Sequence, residues 1–451
     1  MQVRSSYGAE IRKQNIPLKS TLDIYRKAVA WLIPVYEREW EALEEIKDKN
    51  SQFNAAEHLV HETKKNRAAY PFDGAFPKMP SYLRRSAIRH ALGSVSSYHT
   101  RLRKWEEGEA PGKPKLTVKN HAMPVFYHKE MYRLGGKGDG KAISDSVEDV
   151  IEMKLYSGKD WLWYPVRLRH TDLKYLRKHW AGKRTESPVL EKRHKKYFLR
   201  FTFTEEISLS QKEEKDQKIC AVDLGLNTHA VCSVMDREGT VLARKFIDFA
   251  SEKDLLGHMT GRIRRAQRTP GMEKQIPKRW RYAVRLNAEL SRKISSAVVR
   301  FAEEQGCSVL VFEHLEIQGK IRGSIKQKLH LWRKRDIQKR CEHMAHRRGM
   351  RFSRVNAWGT SVYAYDGSGK VIRDKENHSM CTFTSGKRYH CDLSASYNIG
   401  ARYWIREILK PLPETEGSLL EAEVPAVKRR SRCVYADLIC LRKTMMERGI
   451  G

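Results

Sequence analysis

Three acids stand where rigid backbone could hold a carboxylate in place. Asp223 closes the short run Ala221-Val222 and precedes Leu224-Gly225-Leu226-Asn227. Glu313 ends the apolar run Val309-Leu310-Val311-Phe312, and Asp392 opens Leu393-Ser394-Ala395-Ser396-Tyr397-Asn398 at what reads as a helix start. Hydrolysing a phosphodiester needs an activated water and relief of charge on the leaving oxygen, and two divalent ions about 4 Å apart supply both. Such ions are hard and take carboxylate oxygens. The expected site is therefore Asp223, Glu313 and Asp392 around two magnesium ions, with manganese as a substitute. Each acid alone has a plainer reading: a turn acid for Asp223, a strand exit for Glu313, a helix N-cap for Asp392. Glu316, Asp336 and Asp366 lack a comparable placement.

The elements needed to bring these acids together are legible in outline. Strands are expected at 219–224, 229–235 and 241–247, with the turn Asp236-Arg237-Glu238-Gly239 between the last two. A helical stripe follows at Leu286, Leu290, Ile294, Val298 and Phe301, stopped by Gly306. Val309 to Phe312 is short enough for a buried strand; a helix over 327–346, a strand over 351–355 and a helix from Leu393 complete the run. Strand-strand-strand-helix-strand-helix-strand-helix is the order of the ribonuclease H-like fold. In that fold Asp223 lies on the central strand, Glu313 on its neighbour and Asp392 on a helix packed across the sheet.

Upstream, apolar residues at Leu22, Tyr25, Val29, Leu32, Tyr36, Trp40 and Leu43 mark a helix opened by Ser20. A second, capped by Ser81, carries Leu83, Ala87, Ala91, Val95, Tyr98, Leu102 and Trp105 on one face. Residues 108–115 and 135–141 are Gly/Pro/Lys loops. From about residue 150 the period becomes two, and Tyr197, Leu199, Phe201 and Phe203 alternate as in a half-buried strand. The polar stretch 211–218 reads as a linker.

The 451 residues carry 87 Lys and Arg against 54 acids, a net charge of +33 that favours a polyanion partner. The surplus is local as well: residues 261–300 and 320–351 each hold twelve Lys or Arg and two acids. Arg84, Arg85 and Arg89 on the capped helix are candidate nucleic-acid contacts, as are Arg262, Arg264, Arg265, Arg333, Lys334 and Arg335. Eight scattered cysteines without a CxxC pair give no disulfide framework. A polar N-terminus and the lack of long apolar runs point to a cytoplasmic protein without membrane contact, nucleoid-associated when on DNA.

The strings Val222-Asp223-Leu224-Gly225-Leu226-Asn227, Phe312-Glu313-His314-Leu315 and Asp392-Leu393-Ser394-Ala395-Ser396-Tyr397-Asn398-Ile399-Gly400 resemble the three RuvC motifs of the TnpB family. Those are transposon-encoded RNA-guided nucleases, related to compact type V CRISPR effectors. Pro80-Ser81-Tyr82-Leu83-Arg84-Arg85-Ser86-Ala87-Ile88 and Trp105-Glu106 are similar to the family's helical recognition segment. The resemblance implies an α/β multidomain chain: a wedge β domain at 1–20 and 150–210, a helical recognition domain at 21–149, a RuvC-like nuclease domain at 211–410 and a basic tail at 411–451. It also implies catalysis by Asp223, Glu313 and Asp392, with a guide RNA and double-stranded target DNA as partners. The chain departs from the family at 356–391, where two CxxC pairs usually bind zinc. Only Cys381 and Cys391 remain, with His378 and His390 near them. Adjacent residues ligate one tetrahedral ion poorly, so a small hairpin without zinc is expected. Two other readings stay open: a guided DNA-binding regulator that does not cut, and a guide-independent strand-transfer or junction-resolving enzyme of the same fold.

Overall fold

The computed structural model describes residues 1–134, 149–225, 228–314 and 333–450, with the backbone alone for Lys274. Outside the described residues lie Leu226 and Asn227 of the first motif, Leu315, Glu316, the loop at 135–141 and the basic stretch 320–328. The chain forms two compact units, residues 2–205 and 206–451, the second including Met1.

The first unit interleaves helices with two small sheets. Its elements are β1 (Gln2–Ile11), α1 (Leu18–Arg38), α2 (Trp40–Glu44), α3 (Lys49–Val60), α4 (Phe72–Ala75), α5 (Ser81–Glu106), β2 (Tyr132–Leu134), β3 (Val150–Tyr156), β4 (Trp161–Arg167), α6 (His170–Trp180), β5 (Arg184–Thr185), β6 (Val189–Arg193) and β7 (Lys196–Glu206). One sheet runs β1-β7-β5 with β6 also on β7, and the other runs β2-β3-β4. The expected stripe from Leu22 to Leu43 is buried throughout. The helix carrying it begins at Leu18, after Pro17, and breaks at Glu39, so Trp40 and Leu43 belong to α2. Pro80, not Ser81, occupies the cap position of α5. Helices and strands share one hydrophobic core, from Tyr25 and Tyr36 to Leu199 and Phe203. The stretches expected as separate helical and wedge domains thus bury their apolar faces together.

The second unit is built on five strands: β8 (Ile219–Asp223), β9 (Ala230–Met235), β10 (Val241–Ile247), β11 (Val309–His314) and β12 (Arg351–Asn356). Their order is β10-β9-β8-β11-β12. The first three are antiparallel, and β11 runs parallel to both β8 and β12. Helices α7 (Ala250–Arg268) and α8 (Ile276–Glu304) connect β10 to β11, and α9 (Lys334–Arg347) precedes β12. The short strands β13 (Ile372–Arg373), β14 (Met380–Thr382) and β15 (Arg388–His390) form a separate antiparallel sheet. Helix α10 (Cys391–Leu409) starts directly after it, and α11 (Glu414–Glu423) and α12 (Tyr435–Glu447) follow. This is the element order expected of the ribonuclease H-like fold.

Alternation along β8 and β11 decides what each face does. Cys220, Val222, Leu310 and Phe312 join a core with α8 residues Leu290, Ile294 and Val298. Ile219, Ala221, Val309 and Val311 face the other way, into a core with Leu393, Tyr397 and Trp404 of α10. Gly400 makes that helix approach possible: a Cβ there would lie 3.1 Å from Met235 Cε and 3.4 Å from Ala221 Cβ.

The segment after Pro411 is not a basic tail. Leu420, Val427, Leu438, Leu441 and Met445 are buried in the core under α10. The apolar stripe Leu438, Leu441 and Met445, at helical spacing, carries that packing. The second unit therefore extends to the last described residues. No described helix is long and apolar enough to cross a membrane.

Candidate metal and nucleic-acid site

Parallel pairing places two of the acids side by side. Val309 to Phe312 pair in register with Ile219 to Val222, so Asp223 and Glu313 are the next residues on neighbouring strands. Period two puts both on the face that carries Ala221 and Val311, which α10 covers. Asp392 lies in the first turn of that helix, near its positive dipole end. A Cβ on Gly225 would come within 3.4 Å of Asp392 Oδ2. The three sequence-distant acids come together at the carboxyl ends of the interior strands β8 and β11.

The surroundings are hostile to three negative charges. Asp223 is 7 % exposed and Glu313 6 %. Burial and then repulsion from Glu313 and Asp392 push the Asp223 carboxyl well above the ordinary range; Arg373 and the Leu224 backbone act in the opposite sense. Burial also raises Glu313, against the hydrogen bond from Thr360 and the charges of Arg402 and Lys334. Asp392 is raised by burial, with His390 and Arg373 opposing. Buried like charges of this kind are stable only when protonated or when shared with a cation. That donor set, all carboxylate oxygen, fits hard divalent ions. As placed, the acids do not form a ready cage: among the described residues no three His, Cys, Asp or Glu side chains are arranged to hold one ion. One carboxylate oxygen, Glu313 Oε1, accepts a hydrogen bond from the Thr360 hydroxyl.

Sequence reasoning missed Thr360, and it missed Arg402, which is 2 % exposed and joins Asn356 to Cys433 through carbonyl hydrogen bonds of 2.7 and 2.8 Å. Thr360 has no sequence signal, and Arg402 has only that of a charged residue within an apolar helical pattern. Asn398, quoted above only as part of a motif, donates to the carbonyls of Thr360 and Tyr363 at 2.9 Å each.

Gly225 is the most constrained backbone position at the site. A Cβ there would lie 2.5 Å from the Thr228 carbonyl oxygen, and that backbone has to move. Gly225→Ala is expected to lower the melting temperature, because the Thr228 backbone must shift to admit the methyl group. An unchanged melting temperature would show that this turn accepts a side chain.

The small sheet beside Asp392 packs Cys381 and Cys391 with Ala364 and Phe383 in an apolar cluster. Burial is the first cause holding both thiols above their ordinary range, Cys381 up to about 12, and the Cys391 thiol contributes to the Cys381 shift. His378 is exposed, its Nδ1 3.2 Å from the Asp374 carbonyl. The His390 ring meets Phe246 edge-on at 4.9 Å. Cys381 and Cys391 thus serve the hairpin's own core.

The basic candidates divide. Arg262, Arg264 and Arg265 lie exposed on α7. Arg335 is exposed, and Arg333 is half-buried, 3.7 Å from Asp336. Arg89 is exposed and lies over the Phe53 ring at 4.9 Å. Arg85 reaches Glu57 at 3.4 Å. Arg84 and Lys334 are instead buried, at 7 % and 6 % exposure. Arg84 is occupied by Asp73 at 3.2 Å and Glu57 at 3.8 Å, which corrects its placement on an open phosphate-binding face. Lys334 lies near Glu313, whose charge favours its protonated form against burial. Arg84 and Arg85 also border a cavity of about 550 Å³ with His58, His61, Lys65 and Tyr82.

The model of the Aq_aa04 family matches residues 5–157. No curated protein sequence matches the chain. Among solved structures, CasPhi-2 (Cas12j) bound to crRNA and phosphorothioate-DNA superposes with a TM-score of 0.51 at 9 % identity, over 89 % of this chain and 91 % of that one. The Cas12f1–sgRNA–target DNA complex gives 0.49 at 13 % identity, covering 85 % and 80 %. The mini-RNA-guided endonuclease CRISPR-Cas_phi3 gives 0.44 at 11 %, covering 88 % and 92 %. The chain thus shares its fold with CasPhi-2 (Cas12j).

Proposed function

We propose that the chain is an RNA-guided DNA endonuclease, related to TnpB, whose metal site is Asp223, Glu313 and Asp392. The observation that carries this reading is the convergence of buried Asp223 and Glu313 and half-buried Asp392 on the α10 face of the sheet, with both others repelling Asp223. The bound ions, magnesium or manganese, would supply the activated water and the charge relief that phosphodiester hydrolysis needs. Asp223, the carboxylate that feels both others, would hold the ions together with Glu313 and Asp392. The surrounding core excludes water from their inner side. The net charge of +33 and the exposed arginines of α5 and α7 suit a guide RNA and duplex DNA held by their backbones. The neighbouring structures, solved with guide RNA and DNA, support the same partners.

A guided DNA-binding regulator that does not cut is the second reading; three intact acids favour cleavage over it. The test is to sequence RNA that copurifies with the protein, then to assay DNA matching its variable end with magnesium and with a chelator. One abundant structured RNA with a variable end is expected, with cleavage only when magnesium is present. Absence of bound RNA, with joining of DNA ends, would instead assign a guide-independent strand-transfer enzyme. Bound RNA and DNA without any cutting would assign the regulator.

A further inference from the structure

We propose that Thr360 is the positioning residue that decides which oxygen of Glu313 is presented to the divalent ions. The inference rests on the reading of the three acids as an ion site. Thr360 is 2 % exposed and lies in the loop that leaves β12, a segment with no recognisable motif. Its hydroxyl carries a single proton and has two acceptors within reach, Glu313 Oε1 and the Ala357 carbonyl, the latter at 3.2 Å. An ionised carboxylate is the stronger acceptor, so the proton goes to Glu313. Oε1 is thereby tied, and Oε2 is the oxygen left to the ions.

The rest of the geometry makes this hydrogen bond a fixed one. The Thr360 carbonyl accepts from Asn398 Nδ2 at 2.9 Å. Asn398 is fully buried, and its Oδ1 accepts from the Tyr435 backbone N–H at 2.9 Å. Asn398 belongs to α10, the helix that begins beside Asp392. At the other end, the carbonyl of Glu313 accepts from Gln338 Nε2 of α9 at 2.8 Å. Glu313 is thus held at its backbone by one helix and at its carboxylate by a loop anchored to another. Partners of this kind orient a ligating side chain, and their loss costs about 10- to 100-fold in metal affinity.

The experiment is a manganese titration followed by electron paramagnetic resonance, on the wild type, Thr360→Val, Thr360→Ser and Asp223→Asn, each with its melting temperature. Thr360→Val keeps the branched shape and lacks the hydroxyl; Thr360→Ala is the second hydroxyl-free variant should the first not fold. Manganese binding is expected to weaken about tenfold or more without the hydroxyl, to stay at the wild-type level in Thr360→Ser, and to be lost in Asp223→Asn. Cleavage should follow the same order at limiting ion and recover in Thr360→Val as manganese is raised. Wild-type affinity in Thr360→Val, with Asp223→Asn deficient, overturns the role of Thr360 and leaves the ion site standing. Equal weakening in Thr360→Ser assigns the effect to the methyl group's packing and overturns it too. Undiminished binding by Asp223→Asn, or none by the wild type, removes the ion site itself and Thr360's role with it.

Discussion

Asp223→Asn is expected to reduce DNA cleavage about a thousandfold or more, the scale set by losing several kcal/mol of metal-assisted charge stabilisation. The same variant is expected to melt higher than the wild type when no divalent ion is present. The two effects share one cause. Asp223 is buried at the junction of three carboxylates, and burial together with Glu313 and Asp392 disfavours its charge. An amide of the same shape removes one of those like charges from a buried place. A relief of 1 kcal/mol corresponds to about 2–4 °C in a domain of this size. Magnesium should then raise the wild-type melting temperature, since an ion that binds only the folded state stabilises it by mass action, and should leave the variant unmoved. RNA retention should be the same in both. Full cleavage by Asp223→Asn would end the nuclease assignment, and a lower ion-free melting temperature would mean that the carboxylate is a structural acceptor.

Arg402→Leu is expected to give the largest loss of stability in the second unit, about 3–5 kcal/mol, the range for removing one partner of a buried charged network. Arg402 lies in the middle of α10 with its guanidinium enclosed. Nε donates to Cys433 O at 2.8 Å and Nη1 to Asn356 O at 2.7 Å, while Nη2 has no hydrogen-bond partner among the described residues. These bonds fasten the end of β12 and the start of the α12 segment to one helix. Leucine would take this donor from the buried Cys433 carbonyl and from the Asn356 carbonyl and would also take away the cation whose charge opposes the rise in the Glu313 carboxyl. Arg402→Lys keeps the charge but not the fork, so its urea midpoint should fall between the two. A midpoint unchanged in Arg402→Leu would show that this strut holds nothing.

The 411–451 segment shows how local signals mislead. Residues 411–451 were expected as a basic tail, yet Leu438, Leu441 and Met445 bury themselves under α10. Arg84 shows the converse: its place in a basic run suggested an open surface, and acids from α3 and α4 closed over it. In both cases partners distant along the chain set the outcome.

Residue types and local periodicity were enough to determine the order of strands and helices in the second unit, the three acids and the polyanion-seeking charge. Those properties depend only on alternation, turn residues and net charge. Tertiary structure alone decided that Val309–Phe312 pairs with Ile219–Val222 in that register, which turns Asp223 and Glu313 to one face. It alone also decided that Thr360, Asn398 and Arg402 close around Glu313. Strand register and helix docking are chosen by packing between segments far apart in the chain, and a shift of one residue would have turned either acid into the opposite core.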